Sequence, residues 1–212
     1  MKFGFELELF CREPLVGDGV GEVVGGNYVL VPNGLPYDEC GWLVEIRSEP
    51  HTDIRKAIAL LQAEFDSVKE QAIDKGIILE QIPLAEIPRD LKVQAARKHG
   101  KGLINYRNIY GYETHKNSTR FQTASVHVSF TDERTFHYEN KDGRNREFHY
   151  PGFVDHAKLI VGLDKAFVAE IKAAKRNPGF YEIKGDGRIE YRSLPNNIDL
   201  NKLREVLVEL TS

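Results

Sequence analysis

The amino-terminal segment Phe3–Leu9 alternates apolar and polar side chains, and this pattern constrains the fold more than any other feature of the sequence. Its odd positions are Phe or Leu, and Glu6 and Glu8 stand between them. A period of two predicts a β-strand with one buried apolar face. Carboxylates are disfavoured in the middle of strands. The segment therefore predicts a strand whose polar face, with Glu6 and Glu8, has a role other than packing.

Three later segments show the same pairing of polar residues two positions apart. They lie within strands that the sequence predicts at 42–48, 125–130 and 188–194. Alternate residues of a strand point to the same side, about 7 Å apart. Neighbouring strands would join these polar sides into one concave surface. The four pairs are Glu6/Glu8, Glu45/Arg47, His127/Ser129 and Glu190/Arg192.

The rest of the chain mixes helices and strands without the regular βαβ alternation of a parallel sheet. This mixture predicts an α+β fold with a largely antiparallel sheet, in a single domain that spans residues 1–212. Three helices are predicted: from about Asp53 to Gly76, from Val154 to Arg176, and from Leu200 onward. Thr52 and Asp53 are the candidate caps of the first helix. Other predicted elements are strands at 28–31 and 77–82, a basic helix at 89–98, and a hairpin at 136–150 that turns near Asp142-Gly143.

Composition narrows the class of protein and its compartment. The 212 residues are 41% hydrophobic and 29% charged, with a net charge of −3. Such a balance is ordinary for a globular protein. The net charge creates no electrostatic field that would attract nucleic acid or an anionic membrane surface. Two cysteines are too few for a disulfide framework, and acidic residues interrupt the first apolar stretch, so we expect a cytoplasmic protein.

Clustered carboxylates beside arginines indicate a particular chemistry. Mg²⁺ takes oxygen ligands from carboxylates and phosphates, so Glu residues that repel one another can share a cation. Arginine binds anionic oxygens through a planar fork. Together, carboxylates and arginines are the side chains that phosphoryl-transfer sites use. The alternative for each pair is a solvated strand face, which is the commoner role of polar residues on antiparallel strands.

Four ordered anchors resemble the short, phage-type amidoligases, which are relatives of glutamine synthetase and glutamate–cysteine ligase. The anchors are Phe5-Glu6-Leu7-Glu8, Asp38–Ser48, Val126–Ser129 and Glu190–Asn196. The resemblance implies an antiparallel sheet curved into a funnel with helices on its outer face. It also implies a ligase that uses ATP and Mg²⁺, with Mn²⁺ as a substitute, to join a carboxylate substrate to an amine. That carboxylate would belong to an amino acid, peptide or protein, and a phage-encoded enzyme would work in the host cytoplasm.

The resemblance also assigns roles to individual residues. Metal contacts are implied for Glu6, Glu8, Glu45, His127 and Glu190, with Asp38 as a weaker candidate. Catalytic roles are implied for Glu8, Glu45, Arg192 and Arg176. Contacts to ATP or the carboxylate substrate are implied for Arg47, His127, Ser129, Arg176, Lys184 and Arg188. Ser125 departs from the family pattern, because it stands where the first histidine of an H-x-H pair would be.

Other interpretations stay open at this point. The departure at Ser125 is compatible with a non-catalytic module that binds a peptide or nucleotide, and a phosphotransferase would share the same equipment. His137 and His149 are interpreted as exposed residues of an edge hairpin, and the basic stretch 97–101 as a solvated loop. The Gly-rich segment Gly17–Gly26 is a candidate lid. The substrates and the oligomeric state, including a homo-oligomer, are not fixed by the sequence.

Overall fold

A computed structural model describes residues 1–14, 28–38, 41–87, 89–90, 93, 107–111, 121–131, 135–139, 145–149, 153–184 and 187–212. Within these ranges the chain is a mixed α+β structure with an open, mostly antiparallel sheet and four helices. The predicted fold class is therefore confirmed at this level.

The strands and helices are bounded as follows. The first part of the chain contains β1 (Lys2–Arg12), β2 (Leu43–Arg47), α1 (Ile54–Asp74), β3 (Ile78–Glu80), β4 (Leu84–Glu86), β5 (Arg107–Asn108) and β6 (Phe121–Thr123). The second part contains β7 (Val126–Thr131), β8 (Thr135–Glu139), β9 (Asn145–His149), α2 (Phe153–Ala166), α3 (Val168–Ala173), β10 (Phe180–Ile183), β11 (Ile189–Tyr191) and α4 (Leu200–Thr211).

The main sheet has the strand order β2-β1-β7-β11-β10-β5, and β3 pairs with the far end of β1. All of these pairings are antiparallel. In the register, Glu6 lies opposite Arg47 on one side and His127 on the other. Glu190 lies opposite Ser129. The four segments with paired polar residues are therefore consecutive neighbours in one sheet.

The main hydrophobic core lies between the sheet and the helices. The odd residues of β1 face it, and Leu7 and Leu9 are fully buried there. Helix α1 begins where the sequence predicts, because the carboxylate of Asp53 accepts hydrogen bonds from the backbone N–H groups of Arg55 and Lys56. Its apolar stripe, which includes Leu61, packs against β1 and β2. This packing fixes which face of β1 remains for Glu6 and Glu8.

A second, smaller apolar cluster lies on the face that carries the carboxylates. Phe10 and Leu43 are cross-strand partners that continue the side of Glu8 and Glu45. Both are buried. Their cluster is completed by Trp42, Ala85, Ile87 and Ala124, with Tyr28, Leu30 and Ile82 packed against it. Apolar side chains thus cover one end of the polar face of the sheet, next to the buried Glu8 and Glu45.

Several predicted elements need correction. The strand predicted at 28–31 is wrong, since only Tyr28 makes an isolated bridge, to Arg12. The helix predicted over 154–176 is two helices, separated at the fully buried Phe167, whose φ of −118° is not helical. The strands predicted at 77–82 and 188–194 are each shortened to three residues. Strand β10 was not predicted, because four residues of mixed polarity show no clear period.

Some sequence predictions fall outside the described residues. These are the candidate lid at 17–26, the basic stretch 97–101, most of the helix expected at 89–98, and the turn near Asp142-Gly143. The two strands of that hairpin are present as β8 and β9. In the part of the chain that the structure covers, no helix has the length and apolar character needed to cross a membrane.

Cys11 provides a test of the core. Its side chain is 1% exposed, and burial raises the pKa of its thiol to about 12. Since the thiolate is the reactive form, Cys11 should not react with a thiol reagent at pH 8 in the folded protein. We expect a Cys40→Ser variant to show no rapid thiol titration until denaturant is added, and then one thiol per chain. A rapid reaction of the folded variant would contradict the described packing of β1.

Candidate metal centre

Three side chains from three neighbouring strands meet on the polar face of the sheet. His127 Nδ1 lies 3.1 Å from Glu6 Oε2 and 3.8 Å from Glu190 Oε1. One potential ligand atom from each residue falls within 4.8 Å of the others. The residues are 7%, 0% and 0% exposed, in the order Glu6, His127, Glu190. A donor set of one imidazole nitrogen and two carboxylates is suited to a divalent cation.

His127 is neutral over the physiological pH range. Burial lowers the pKa of its imidazole, the positive charge of Arg192 lowers it further, and the resulting value is about 3. A neutral imidazole retains one nitrogen lone pair, which is the form that binds metal ions. The environment therefore keeps His127 ready to act as a ligand, because no proton has to be displaced from that nitrogen.

Glu8 points to the other side of His127. Its Oε2 accepts hydrogen bonds from the backbone N–H of Ser125 at 2.8 Å and from the Ser125 hydroxyl at 2.6 Å. The same hydroxyl oxygen lies 2.9 Å from His127 Nε2. Among the described residues, the group of potential ligands comprises Glu6, His127 and Glu190 and does not include Glu8. Ser125 is thus part of the site, although the sequence suggested only a missing histidine.

Glu45 and Arg47 form the rim of the site on β2. Burial raises the pKa of Glu45 to about 7, with Glu6 as the next cause. Arg47 Nε donates to Glu45 at 2.6 Å and lies 3.5 Å from Glu6 Oε1. The Arg47 side chain is 62% exposed. It is therefore accessible to an anionic ligand while two carboxylates hold it in place.

The other flank of the site is basic. Glu190 is in contact with Arg192, lies 3.0 Å from Lys184 Nζ and lies 3.8 Å from Arg188 Nη1. Burial opposes ionisation of Glu190, but the positive charges of Arg192 and Lys184 favour it, and its pKa is lowered. Ser129 connects to this flank, because its hydroxyl oxygen accepts from Arg188 at 2.9 Å and lies 3.4 Å from Glu190 Oε2.

Glu182 belongs to this basic flank, and sequence reasoning missed it. It lies directly opposite Glu190 in the pairing of β10 with β11. Its Oε2 is 3.0 Å from Lys184 Nζ and 3.5 Å from Arg192 Nη1, so two carboxylates share two cations. The signal that could have identified it is the Glu-x-Lys spacing in 182–184, which resembles the other polar pairs. It was overlooked because β10 itself was not predicted.

Two of the sequence candidates, Arg176 and Asp38, make hydrogen bonds with the backbone. Arg176 donates from Nε to the Ser193 carbonyl at 3.0 Å and from Nη2 to the Arg192 carbonyl at 2.5 Å. It therefore anchors the chain just after β11. Asp38 accepts from the backbone N–H groups of Trp42 and Leu43, which closes the turn before β2. Roles of Arg176 in phosphoryl transfer and of Asp38 in metal binding stay predictions.

Strand β11 is held in position from behind by Asp164 of α2. Its Oδ1 accepts from the Tyr191 hydroxyl at 2.5 Å and from the Gly179 backbone N–H at 3.1 Å. Its Oδ2 accepts from the Tyr110 hydroxyl at 2.8 Å. Because Tyr191 points away from Glu190 along the strand, this network fixes the site residue through its immediate neighbour. Nothing in the sequence pattern distinguished Asp164 from an ordinary helical acid.

Comparison with family models, with curated proteins and with solved structures finds no match for this chain. The placement of the site residues is therefore described by their geometry alone. That geometry brings together Glu6, Glu8, Glu45, Arg47, His127, Ser129, Lys184, Arg188, Glu190 and Arg192.

The raised pKa of Glu45 gives a pH prediction. Its folded-state value is about 7 against an ordinary 4.5, so the folded protein holds a proton that the unfolded chain releases. Without divalent cations, stability should fall as pH rises from about 4.5 through about 7. Glu45→Gln mimics the neutral form and should remove this loss, which is on the order of 2 kcal/mol.

Denaturant unfolding of both proteins in EDTA at pH 5 and pH 8 measures the difference. We expect the wild type to lose stability relative to Glu45→Gln at the higher pH. Parallel pH profiles for the two proteins would show that Glu45 ionises normally in the folded state.

Proposed function

We propose that the protein is an ATP- and Mg²⁺-dependent carboxylate–amine ligase that forms an amide or isopeptide bond through an acyl phosphate. One observation supports this most strongly. An imidazole and two carboxylates with metal-ligand spacing lie beside three cationic side chains on one enclosed face of an antiparallel sheet. We further propose that this sheet is the curved, funnel-like sheet of the glutamine synthetase superfamily.

The donor set fits a divalent cation in both chemistry and spacing. Ligand atoms at about 2.1 Å from an octahedral ion lie about 3 Å apart along an edge. His127 Nδ1 and Glu6 Oε2 are 3.1 Å apart. Glu6, His127 and Glu190 would hold the ion, which when bound would offset negative charge on the phosphate oxygens. Mn²⁺, which like Mg²⁺ favours carboxylate ligands, would fit the same donor set.

The basic flank provides the complementary site for an anion. Lys184, Arg188 and Arg192 surround Glu190 from the β10–β11 side, and their donors occupy carboxylate and hydroxyl oxygens. Phosphate oxygens, like carboxylate oxygens, are anionic acceptors that Lys and Arg bind through charge-assisted hydrogen bonds. We therefore assign the triphosphate to this flank and the carboxylate substrate to the rim near Arg47, where the guanidinium is exposed.

The chemistry then has two balanced steps. In the first, an oxygen of the substrate carboxylate attacks the γ-phosphorus of ATP, and ADP leaves. In the second, an amine attacks the acyl carbon, phosphate leaves, and the amine proton passes to a carboxylate of the site. Glu45 is the proposed acceptor because it lies on the rim beside Arg47. Lys184, Arg188 and Arg192 position the phosphates and neutralise the charge that is transferred.

The test is release of ADP and phosphate from ATP in the presence of Mg²⁺ and mixed amino acids. Glu190→Gln should lower this rate by at least about 100-fold, since it removes one charged ligand from the buried group. The matched control is Glu170→Gln on α3. Glu170 Oε1 lies 2.6 Å from Lys202 Nζ, and this ion pair is not part of the site. The control should retain wild-type turnover, and thermal melting should show that both variants fold.

The outcomes separate the competing functions. Equal rates of ADP release by the wild-type protein and Glu190→Gln would rule out the proposed site. ADP release that does not require an amine, with a phosphorylated product, would indicate a phosphotransferase. Mg²⁺-dependent binding of ATP with no ADP release would indicate the binding module that the departure at Ser125 allows.

A further inference from the structure

We propose that Ser125 and Glu8 form a positioning relay that fixes the tautomer of His127, so that its Nδ1 lone pair is directed at Glu6 and Glu190. Glu8 then acts on the metal centre through Ser125 and is not itself a cation ligand. This inference rests on the proposed metal centre and deepens it, because it separates ligands from the residues that orient them.

The location of the Ser125 hydroxyl proton is the first step. A serine hydroxyl has one hydrogen, and Ser125 Oγ has two neighbours that can take it, Glu8 Oε2 at 2.6 Å and His127 Nε2 at 2.9 Å. A separation of 2.6 Å is that of a hydroxyl donating to a carboxylate. Two oxygen lone pairs at this distance would repel each other. The hydrogen therefore lies on the Glu8 side.

The tautomer of His127 follows from that assignment. If the hydroxyl donates to Glu8, the contact between Ser125 Oγ and His127 Nε2 needs a hydrogen from the ring. Nε2 therefore carries the proton and donates it to Oγ. A neutral imidazole has only one N–H, so Nδ1 has a lone pair. The backbone N–H of Ser125, which donates to the same Glu8 oxygen at 2.8 Å, holds the acceptor in place.

The lone pair faces groups that cannot donate to it. Nδ1 lies 3.1 Å from Glu6 Oε2 and 3.8 Å from Glu190 Oε1, and a carboxylate oxygen accepts hydrogen bonds. With no proton on Nδ1, three electron-rich atoms meet in a space that is almost closed to water. A cation among them resolves the repulsion. The relay thus points the ring nitrogen at the position where the ion is needed, as outer partners of metal-bound histidines do.

The length of the Ser125 side chain suits this link. Ser125 is 3% exposed and lies between Glu8 and His127, so its short side chain joins them within hydrogen-bond distance. A side chain without a hydroxyl would leave the Nε2–H and the Glu8 carboxylate without this link. The residue is therefore a positioning residue for His127.

The experiment measures binding of Mn²⁺ alone, by calorimetry and by electron paramagnetic resonance, without ATP. Ser125→Ala should weaken Mn²⁺ affinity by about 10- to 100-fold, the usual effect of removing an outer partner of a ligating histidine. Ser125→Thr keeps the hydroxyl and should restore affinity to within a few fold. The matched control is Ser48→Ala, which removes another buried hydroxyl, one that accepts from the Phe5 backbone N–H at 3.0 Å outside the site.

A second pair of variants separates the relay from direct ligation by Glu8. Gln in place of Glu8 still offers an oxygen to the Ser125 hydroxyl, so Glu8→Gln should lose less than about 10-fold in affinity. Glu6→Gln removes a ligand charge and should lose at least ten times more than Glu8→Gln. Equal losses in both variants would show that Glu8 binds the ion and would overturn the proposal.

The ring itself provides a third readout. In the Zn²⁺-loaded protein, ¹⁵N NMR of the His127 side chain should show the proton on Nε2, and a proton on Nδ1 would overturn the relay. Unchanged Mn²⁺ affinity in Ser125→Ala would also overturn it while leaving the ligase proposal intact. Absence of Mn²⁺ binding by the wild-type protein would instead remove the metal centre, and with it both proposals.

Discussion

The pairing of β1 along both of its edges is the constraint on which the remaining structure depends. One edge binds β2 and the other binds β7 and then β3, so every residue from Phe3 to Cys11 is buried. The odd face packs on the helices, and this leaves the even face for Glu6 and Glu8. Because β7 also pairs with β11, the register of that second pairing sets the distance between His127 and Glu190. A shift of one residue would send the carboxylates into the apolar core.

The charges on that face balance only when the site is considered as a whole. Carboxylates dominate the β1–β2 side, where burial and neighbouring acids raise the pKa of Glu45. Cations dominate the β10–β11 side, where Lys184 and Arg192 are shared between two glutamates. Removing such groups from water without partners costs several kcal/mol each. The proposed ligands, a cation on the acidic side and an anion on the basic side, would match this separation of charge.

The sequence predicts those parts of this structure that depend on local periodicity and residue type. Alternation identified β1, β2, β7 and β11, and helical spacing with an Asp53 cap identified α1. It did not predict β10, which is too short to show a period. It also could not separate α2 from α3, since apolar residues continue at helical spacing through Phe167. The contacts of Ser125 depend on cross-strand register, which determines the neighbours of a side chain. Residue type alone does not reveal that register.

The site is assembled from opposite ends of the chain, and this has a consequence for biosynthesis. The Asn196 side chain donates to the Glu8 carbonyl at 2.9 Å across 188 positions of sequence. While the protein emerges from the ribosome, the first strand is made long before its partner β7 and before β11, which pairs with β7. Contacts of such long range slow folding. A nascent chain therefore completes the proposed metal centre late, when β11 docks.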